Sequence, residues 1–225
     1  MHFRDSNIGA LSRHYSTFQE RLTRMRNTLM LLRRTGALCA VLVSTLAGAE
    51  FLPLAPGNTW IYRSAQTQTE FTIRVGTSLL YLGTTGKAYH SLHGYASQPV
   101  YVRADENGSL YSVDIDTNAE TLFISFDETR RHRWPAPYRP CQLEGEVEPV
   151  RIPYIGSAGR IEAALSILYR SYNCADAGIQ HEFFAENIGM LRRTEGSIAG
   201  PVIYDLVYAR VGTMIVAEAP STSFM

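Results

Sequence analysis

The sequence predicts an all-β fold: a single antiparallel meander of about ten strands, curled into a barrel or half-barrel, with a β-sandwich as the alternative and a signal-peptide helix ahead of it. Three observations carry this expectation. Short runs rich in Val, Ile, Tyr, Phe and Thr recur from Trp60 to Val211, and Gly, Pro, Asn and Asp separate them. Apolar and polar residues alternate inside the runs, as in Phe71-Thr72-Ile73-Arg74-Val75, the period-2 pattern of a strand with one wet face. Aromatic residues make up 11% of the chain, a richness that suits sheet cores and cross-strand pairs.

Met25 to Ala49 reads as an export signal that precedes the fold. Arg26, Arg33 and Arg34 give a basic flank, Thr35 to Leu46 is an uncharged apolar run, and Ala47-Gly48-Ala49 fits the small-x-small cleavage pattern. The run is too short to span a bilayer, which takes about 20 apolar residues. Cleavage near Ala49 and a periplasmic or extracellular location are therefore expected, with no integral membrane segment left behind. Lipid attachment at Cys39 is disfavoured by the bulky Leu38 before it. Residues 1–24 are expected to be a non-native or disordered extension, although Leu11, Tyr15, Phe18 and Leu22 fall at helical spacing. One β-rich domain over 50–212 and a flexible tail over 213–225 complete the organisation.

The strands follow in order. Pro53, Pro56 and Gly57 punctuate the approach to Trp60-Ile61-Tyr62. Phe71–Val75, Leu79–Leu82, Ala88–Tyr95, Val100–Arg103, Leu110–Ile115 and Thr121–Phe126 come next, parted by turn formers such as Asp105-Glu106-Asn107-Gly108. Pro135, Pro137, Pro140 and Pro149 then interrupt the rhythm, so 128–149 reads as a long excursion, because proline cannot donate to a sheet ladder. Strand patterns resume at Val150–Ile155, Ala164–Tyr172, Gln180–Ala185, Met190–Glu195 and Val202–Val211. Ile161, Ala164, Leu165 and Leu168 also fit one helical face, but Leu165, Ile167 and Tyr169 alternate with Ser166 and Arg170, which favours strand from Leu165 onward. Tyr101–Leu110 and Glu182–Leu191 share one shape, an aromatic strand, an acidic turn and a Gly before an apolar strand. An internal duplication and two independent hairpins both account for it.

Two segments resemble a group of uncharacterised exported bacterial proteins. Phe51-Leu52-Pro53-Leu54-Ala55-Pro56-Gly57-Asn58-Thr59-Trp60-Ile61-Tyr62 is similar to that group's N-terminal PL-x-x-G-N-x-W-x-Y motif. Phe183-Phe184-Ala185 through Gly189, Leu191 and Arg192 is similar to its C-terminal hairpin, with Glu186-Asn187 in place of the usual Pro-Gly. The resemblance implies a secreted all-β domain. It brings no activity, cofactor or catalytic residue.

Charge and cysteine use narrow the function classes. Residues 1–49 hold seven Arg against Asp5 and Glu20, so the neutral chain conceals a part, 50–225, with 14 basic and 19 acidic residues, a net of −5. Nucleic acid, whose phosphates need a basic face, is an unfavourable partner. Beyond Cys39 only Cys141 and Cys174 remain, an even pair that an oxidising compartment would join. Closing that loop of roughly 30 residues would contribute about 3–4 kcal/mol on a chain-entropy argument.

Arg130, Arg131, Arg133, Trp134 and Tyr138 form the densest basic and aromatic cluster, suited to carboxylate, sulfate or sugar rings, and are the candidate binding surface. The competing reading has Asp127 and Glu128 neutralising part of it while Trp134 caps the sheet. His90 and His93 stand three apart on a strand and point to opposite faces, which does not suit one metal ion. Asp114, Asp116, Asn118 and Glu120 open like a calcium loop, but Ala119 occupies the turn-glycine position and Ser125 the final ligand position. Gly156-Ser157-Ala158-Gly159 lacks the nucleophile-elbow spacing. No cofactor, metal ligand set or catalytic residue is assigned. The expectation is an exported, non-catalytic protein that binds a cell-envelope component, whether glycan, lipid or another exported protein. A carrier of a hydrophobic ligand is the first alternative, since Val202–Val211 is apolar on both faces around Asp205, and a secreted hydrolase the second.

Overall fold

The computed structural model describes residues 50–82, 86–129, 133–136, 143–171, 174 and 177–217. The expected leader, Arg130, Arg131, Tyr138 and Cys141 lie outside the described residues. Fourteen strands are present: β1 Thr59–Arg63, β2 Glu70–Leu82, β3 Lys87–His93, β4 Val100–Ala104, β5 Leu110–Val113, β6 Glu120–Ile124, β7 Arg133–Ala136, β8 Leu143–Val147, β9 Ile152–Gly156, β10 Gly159–Ser171, β11 Gly178–Ala185, β12 Gly189–Gly196, β13 Val202–Val211 and β14 Met214–Ala217. There is no helix among the described residues.

All strands join one antiparallel sheet in the order β6-β5-β4-β3-β2-β1-β13-β12-β11-β10-β8-β7, with β14 on β13 and β9 on β10. Two meanders are thus stitched where the first strand meets the thirteenth, Thr59 opposite Arg210 and Trp60 opposite Ala209. No backbone ladder is seen between β6 and β7. The sheet nonetheless curls until those ends touch, where the Trp134 indole on β7 donates to the Phe123 carbonyl on β6 at 3.1 Å. The all-β expectation holds as an open, curled sheet, and the two-sheet sandwich does not.

Side chains fill the concave side. Trp60, Tyr62, Ile73, Val75, Leu92, Phe123, Phe184 and Leu206 are buried in one continuous cluster. The inward rings along β1 are fixed by polar anchors on the far wall: Trp60 Nε1 donates to the Ile188 carbonyl at 2.6 Å and the Tyr62 hydroxyl to the Met190 carbonyl at 2.9 Å. Both acceptors flank the β11–β12 turn, where Asn187 has φ 61° and Gly189 φ 112°. Any Cβ at Gly189 would lie 2.5 Å from Trp60 Nε1, so a glycine is required there for the indole to seat.

The outer face of β11–β13 is covered as well. The hairpin of β9 and β10 folds over it, with the Tyr154 hydroxyl donating to the Leu191 carbonyl (3.2 Å) and to Asp205 (3.0 Å), and Arg192 reaching the Ile155 carbonyl (3.2 Å). That cover explains the apolar residues on both faces of Val202–Val211.

Four expectations are corrected. Phe71–Val75 and Leu79–Leu82 are one strand, because the extra residues at Gly76-Thr77-Ser78 are absorbed as a bulge between Val75 and Leu79 while pairing with β3 continues on both sides. The proline-rich excursion holds two strands, β7 and β8. Pro135 is tolerated because β7 is the last strand of the ladder, so its missing N–H interrupts no central pairing. The run from Arg160 is strand from Gly159 onward, with no helical part. Within the tail, Met214–Ala217 pairs with β13 through Ala209 opposite Val216, and the strand count rises from about ten to fourteen.

Candidate functional site

At one mouth of the curled sheet the side-chain filling stops and a cup of about 840 Å³ opens. Its wall comes from the β3–β4 loop, the β5–β6 hairpin, the start of β11 and β13 and the end of β12. Phe71, Tyr95, Tyr101, Phe123 and Tyr204 supply aromatic surface, and Glu70, Asp114 and Glu195 stand around it as carboxylates. Phe71 is held at the wall by stacking on Tyr62, with ring centroids 4.7 Å apart, and by an edge contact from Tyr204 at 5.1 Å.

Beneath the cup lies a buried ion pair. Glu182 and Arg193 are opposite one another on β11 and β12 and face inward. Their side chains are 0% and 4% exposed, and Arg193 Nε donates to Glu182 Oε1 at 2.9 Å. The other carboxylate oxygen accepts from the Tyr95 hydroxyl at 2.6 Å and the Tyr169 hydroxyl at 2.8 Å. Arg193 also donates to the Tyr95 carbonyl at 3.1 Å and lies over the Tyr95 and Phe71 rings, 4.5 and 5.1 Å from their centroids. Burying two charges is costly unless each is paired and hydrogen-bonded, and here the charges pair with each other and bond Tyr95 of the β3–β4 loop and Tyr169 of β10. The network ties the β3–β4 loop to the curled sheet, and the loop in turn shapes the cup. With one paired arginine inside and three carboxylates around it, the cup favours neutral or cationic guests over anions.

Of the basic and aromatic cluster singled out in sequence, Arg133 and Trp134 are described, and neither lines the cup. Trp134 is 1% exposed and inward, packed edge-on against Tyr169 at 6.5 Å, so its ring offers no face to a sugar or cation. It seats against Gly145 on β8, where a Cβ would lie 2.5 Å from the indole. Arg133, its neighbour, points outward to Glu146 (3.0 Å) and Glu144 (3.7 Å). The alternation of one strand separates the two. His90 and His93 take opposite faces, and His93 Nε2 meets Ser91 Oγ at 3.2 Å. Burial pushes the His90 pKa below its ordinary value.

The acidic run divides in the same way. Asp114 Oδ1 accepts from the backbone N–H groups of Thr117 (3.0 Å) and Asp116 (2.9 Å), which hold its carboxyl below the usual range. Glu120 is spent on Arg103, Lys87 and Tyr89, and Arg103 in first place draws its pKa down to about 2. Among the described residues no three His, Cys, Asp or Glu side chains gather as a metal site.

One constellation escaped the sequence. Ser166, His181 and Glu148 meet on the outer face, with the serine hydroxyl donating to Glu148 and His181 Nε2 at 2.5 Å from Ser166 Oγ. Serine and glutamate share the same imidazole nitrogen, Glu148 lying 3.5 Å from Nε2. In a nucleophilic triad the carboxylate orients the histidine from its other nitrogen and the serine proton is aimed at the base. Here that proton is aimed at the carboxylate, and Ser166 is fully buried. The cluster closes polar groups beneath the β9–β10 hairpin.

No family model and no curated protein matches the chain. Among solved structures it is similar to a crystal structure described as a "putative lipoprotein" from Parabacteroides distasonis, with 12% identity, 72% of this chain and 99% of that chain covered, and a TM-score of 0.33. Among the described residues no helix is long and apolar enough to cross a membrane. The reading of the cup therefore stands on this chain's own residues.

Proposed function

We propose that this is an exported, non-catalytic binding protein whose mouth cup holds a small amphiphilic molecule of the cell envelope, neutral or cationic, with an apolar or ring-shaped body. The observation that carries the reading is the cup itself. Its volume lies in the range of small-molecule sites, its wall is aromatic, and its floor is a polar network in which Glu182 is held by Arg193, Tyr95 and Tyr169. A bulky acyl chain running through the sheet is disfavoured, because Trp60, Tyr62, Phe123 and Phe184 fill the interior. Export rests on the Met25–Ala49 leader and its cleavage near Ala49.

A disulfide between Cys141 and Cys174 belongs to the same reading. Its support is that Leu143, two residues after Cys141 in sequence, pairs with Ser171, three residues before Cys174. Alkylation of the unreduced protein is expected to label neither cysteine.

The cup is tested by fluorescence titration with Nile red, a neutral apolar dye, against the wild type and a plugged Ala96→Trp variant. Saturable binding in the wild type and at least about a tenfold loss in the variant is expected, the worth of displacing roughly one ring's contact. Equal binding by both proteins would remove the cup from consideration. A screen of ester, glycoside and phosphate substrates addresses the hydrolase alternative, and turnover there would overrule the non-catalytic reading.

A further inference from the structure

We infer that the protein carries a second, separate site, an oxyanion groove on the outer face of β13, β1, β2 and β3 that takes a phosphomonoester group. Register assembles it. Thr59 on β1 pairs with Arg74 on one side and Arg210 on the other, and Arg74 pairs in turn with His93. His93, Arg74, Thr59 and Arg210 therefore form one row across four strands, all on the same face. The two arginines stand two strands apart, about 10 Å between backbones, a span their side chains can close around one tetrahedral anion.

His93, Arg74 and Arg210 of this row line a cavity of about 410 Å³ whose remaining polar wall comes from Thr77, Ser78 and Ser91. No carboxylate lines it. In a domain with an acidic excess over 50–225, this stands apart: nearly every other described arginine on the surface is matched, as Arg63 is by Glu70, Arg133 by Glu146, Arg151 by Glu128 and Arg160 by Glu162. No ion pair joins Arg74 or Arg210 to a carboxylate among the described residues. Arg210 is oriented by donating to the Gly57 carbonyl at 3.1 Å, which leaves the rest of its fork to the groove.

The bulge on β2 has its use here. At Gly76 a Cβ would lie 2.0 Å from Ser91 Oγ and 3.3 Å from His93 Nε2, so the glycine lets those two groups reach the groove floor, while Thr77 and Ser78 of the bulge line it. Two guanidinium forks, three hydroxyls and an imidazole edge are donors matched to a phosphate with several acceptor oxygens. The cavity exceeds a bare phosphate, which points to the phosphate end of a larger molecule, either a lipid headgroup or a soluble ester.

The experiment follows the ¹H–¹⁵N spectrum of the full chain during titration with inorganic phosphate, for the wild type, Arg74→Gln, Arg210→Gln and an Arg160→Gln control on another surface. Saturable shifts confined to Gly76, Thr77, Ser78 and the two arginine side chains are expected, with each groove variant binding roughly tenfold more weakly and the control unchanged. Cosedimentation with phosphatidic-acid vesicles against phosphatidylcholine vesicles then separates the sources. Pelleting with the former alone assigns a lipid headgroup, and phosphate shifts without pelleting assign a soluble ester. Absence of saturable shifts, or wild-type affinity in Arg74→Gln, overturns the inference. Loss of Nile red binding in Ala96→Trp leaves this outcome untouched, because the cup and the groove lie on opposite faces of β2.

Discussion

Arg192 and Arg193 are adjacent on β12, yet each meets a carboxylate in a different medium. Arg192 faces outward and pairs with Asp205 directly across on β13 at 2.6 Å, with side chains 26% and 23% exposed. Arg193 faces inward and pairs with Glu182 across on β11 at 2.9 Å, both nearly free of solvent contact. The distances are alike and the consequences differ. Solvent and the Tyr154 hydroxyl share the outer pair's charge, whereas inside the curled sheet only the pair and its hydrogen bonds keep two ions tolerable. The contrast shows how period 2 assigns neighbouring identical residues to an anchor for a covering hairpin and to the floor of a binding cup.

The largest expected effect tests the inner member. Glu182→Gln removes the charge that balances Arg193 and is expected to cost about 3–5 kcal/mol, read as a lowered urea midpoint. A cost near that of an exposed pair would collapse the comparison. Acid offers the next lever through Glu120, another partly covered carboxylate. Its folded pKa of about 2 lies below the ordinary 4.5, so its contribution is fully present above 4.5 and is lost as pH falls toward 2. Urea midpoints across that window should decline in the wild type and decline less steeply in Glu120→Gln.

Asp205→Asn probes the outer member, with an expected loss of about 1–2 kcal/mol, since a polar partner for Arg192 and Tyr154 survives. Faster proteolysis between β9 and β10 in this variant, without change in Nile red binding, would sharpen the assignment of Asp205 to the hairpin. The smallest effect belongs to Arg63→Ala, which breaks a pair 44% and 47% exposed and is expected to shift stability by less than about 1 kcal/mol.

Much of the fold was legible because strands announce themselves through alternation and turn residues. Val202–Val211 was bounded correctly, and Phe71–Val75 carried its inward and outward faces openly. The misreadings share one cause. Gly76-Thr77-Ser78 reads as a turn and the prolines of 128–149 as an excursion because local propensity does not register a bulge or an end-of-ladder position, both defined by the partner strand. Trp134 illustrates the same limit at the site: its neighbours left a binding ring and a cap on the sheet both open, and only the placement of β7 against β6 decided for the core. The cup drew on Tyr95, Glu182 and Arg193, which lie 87 and 98 residues apart where they bond, a separation no motif spans.

By itself the sequence determined the class of fold, the inward and outward faces of most strands and the acidic balance of the folded part, because these follow from residue type and a two-residue period. The tertiary structure alone decided that β1 meets β13, that the β9–β10 hairpin covers an outer face, and that one arginine lies under a cup while two others line a groove. Those outcomes depend on register between distant strands, where a shift of one residue sends every side chain to the other face.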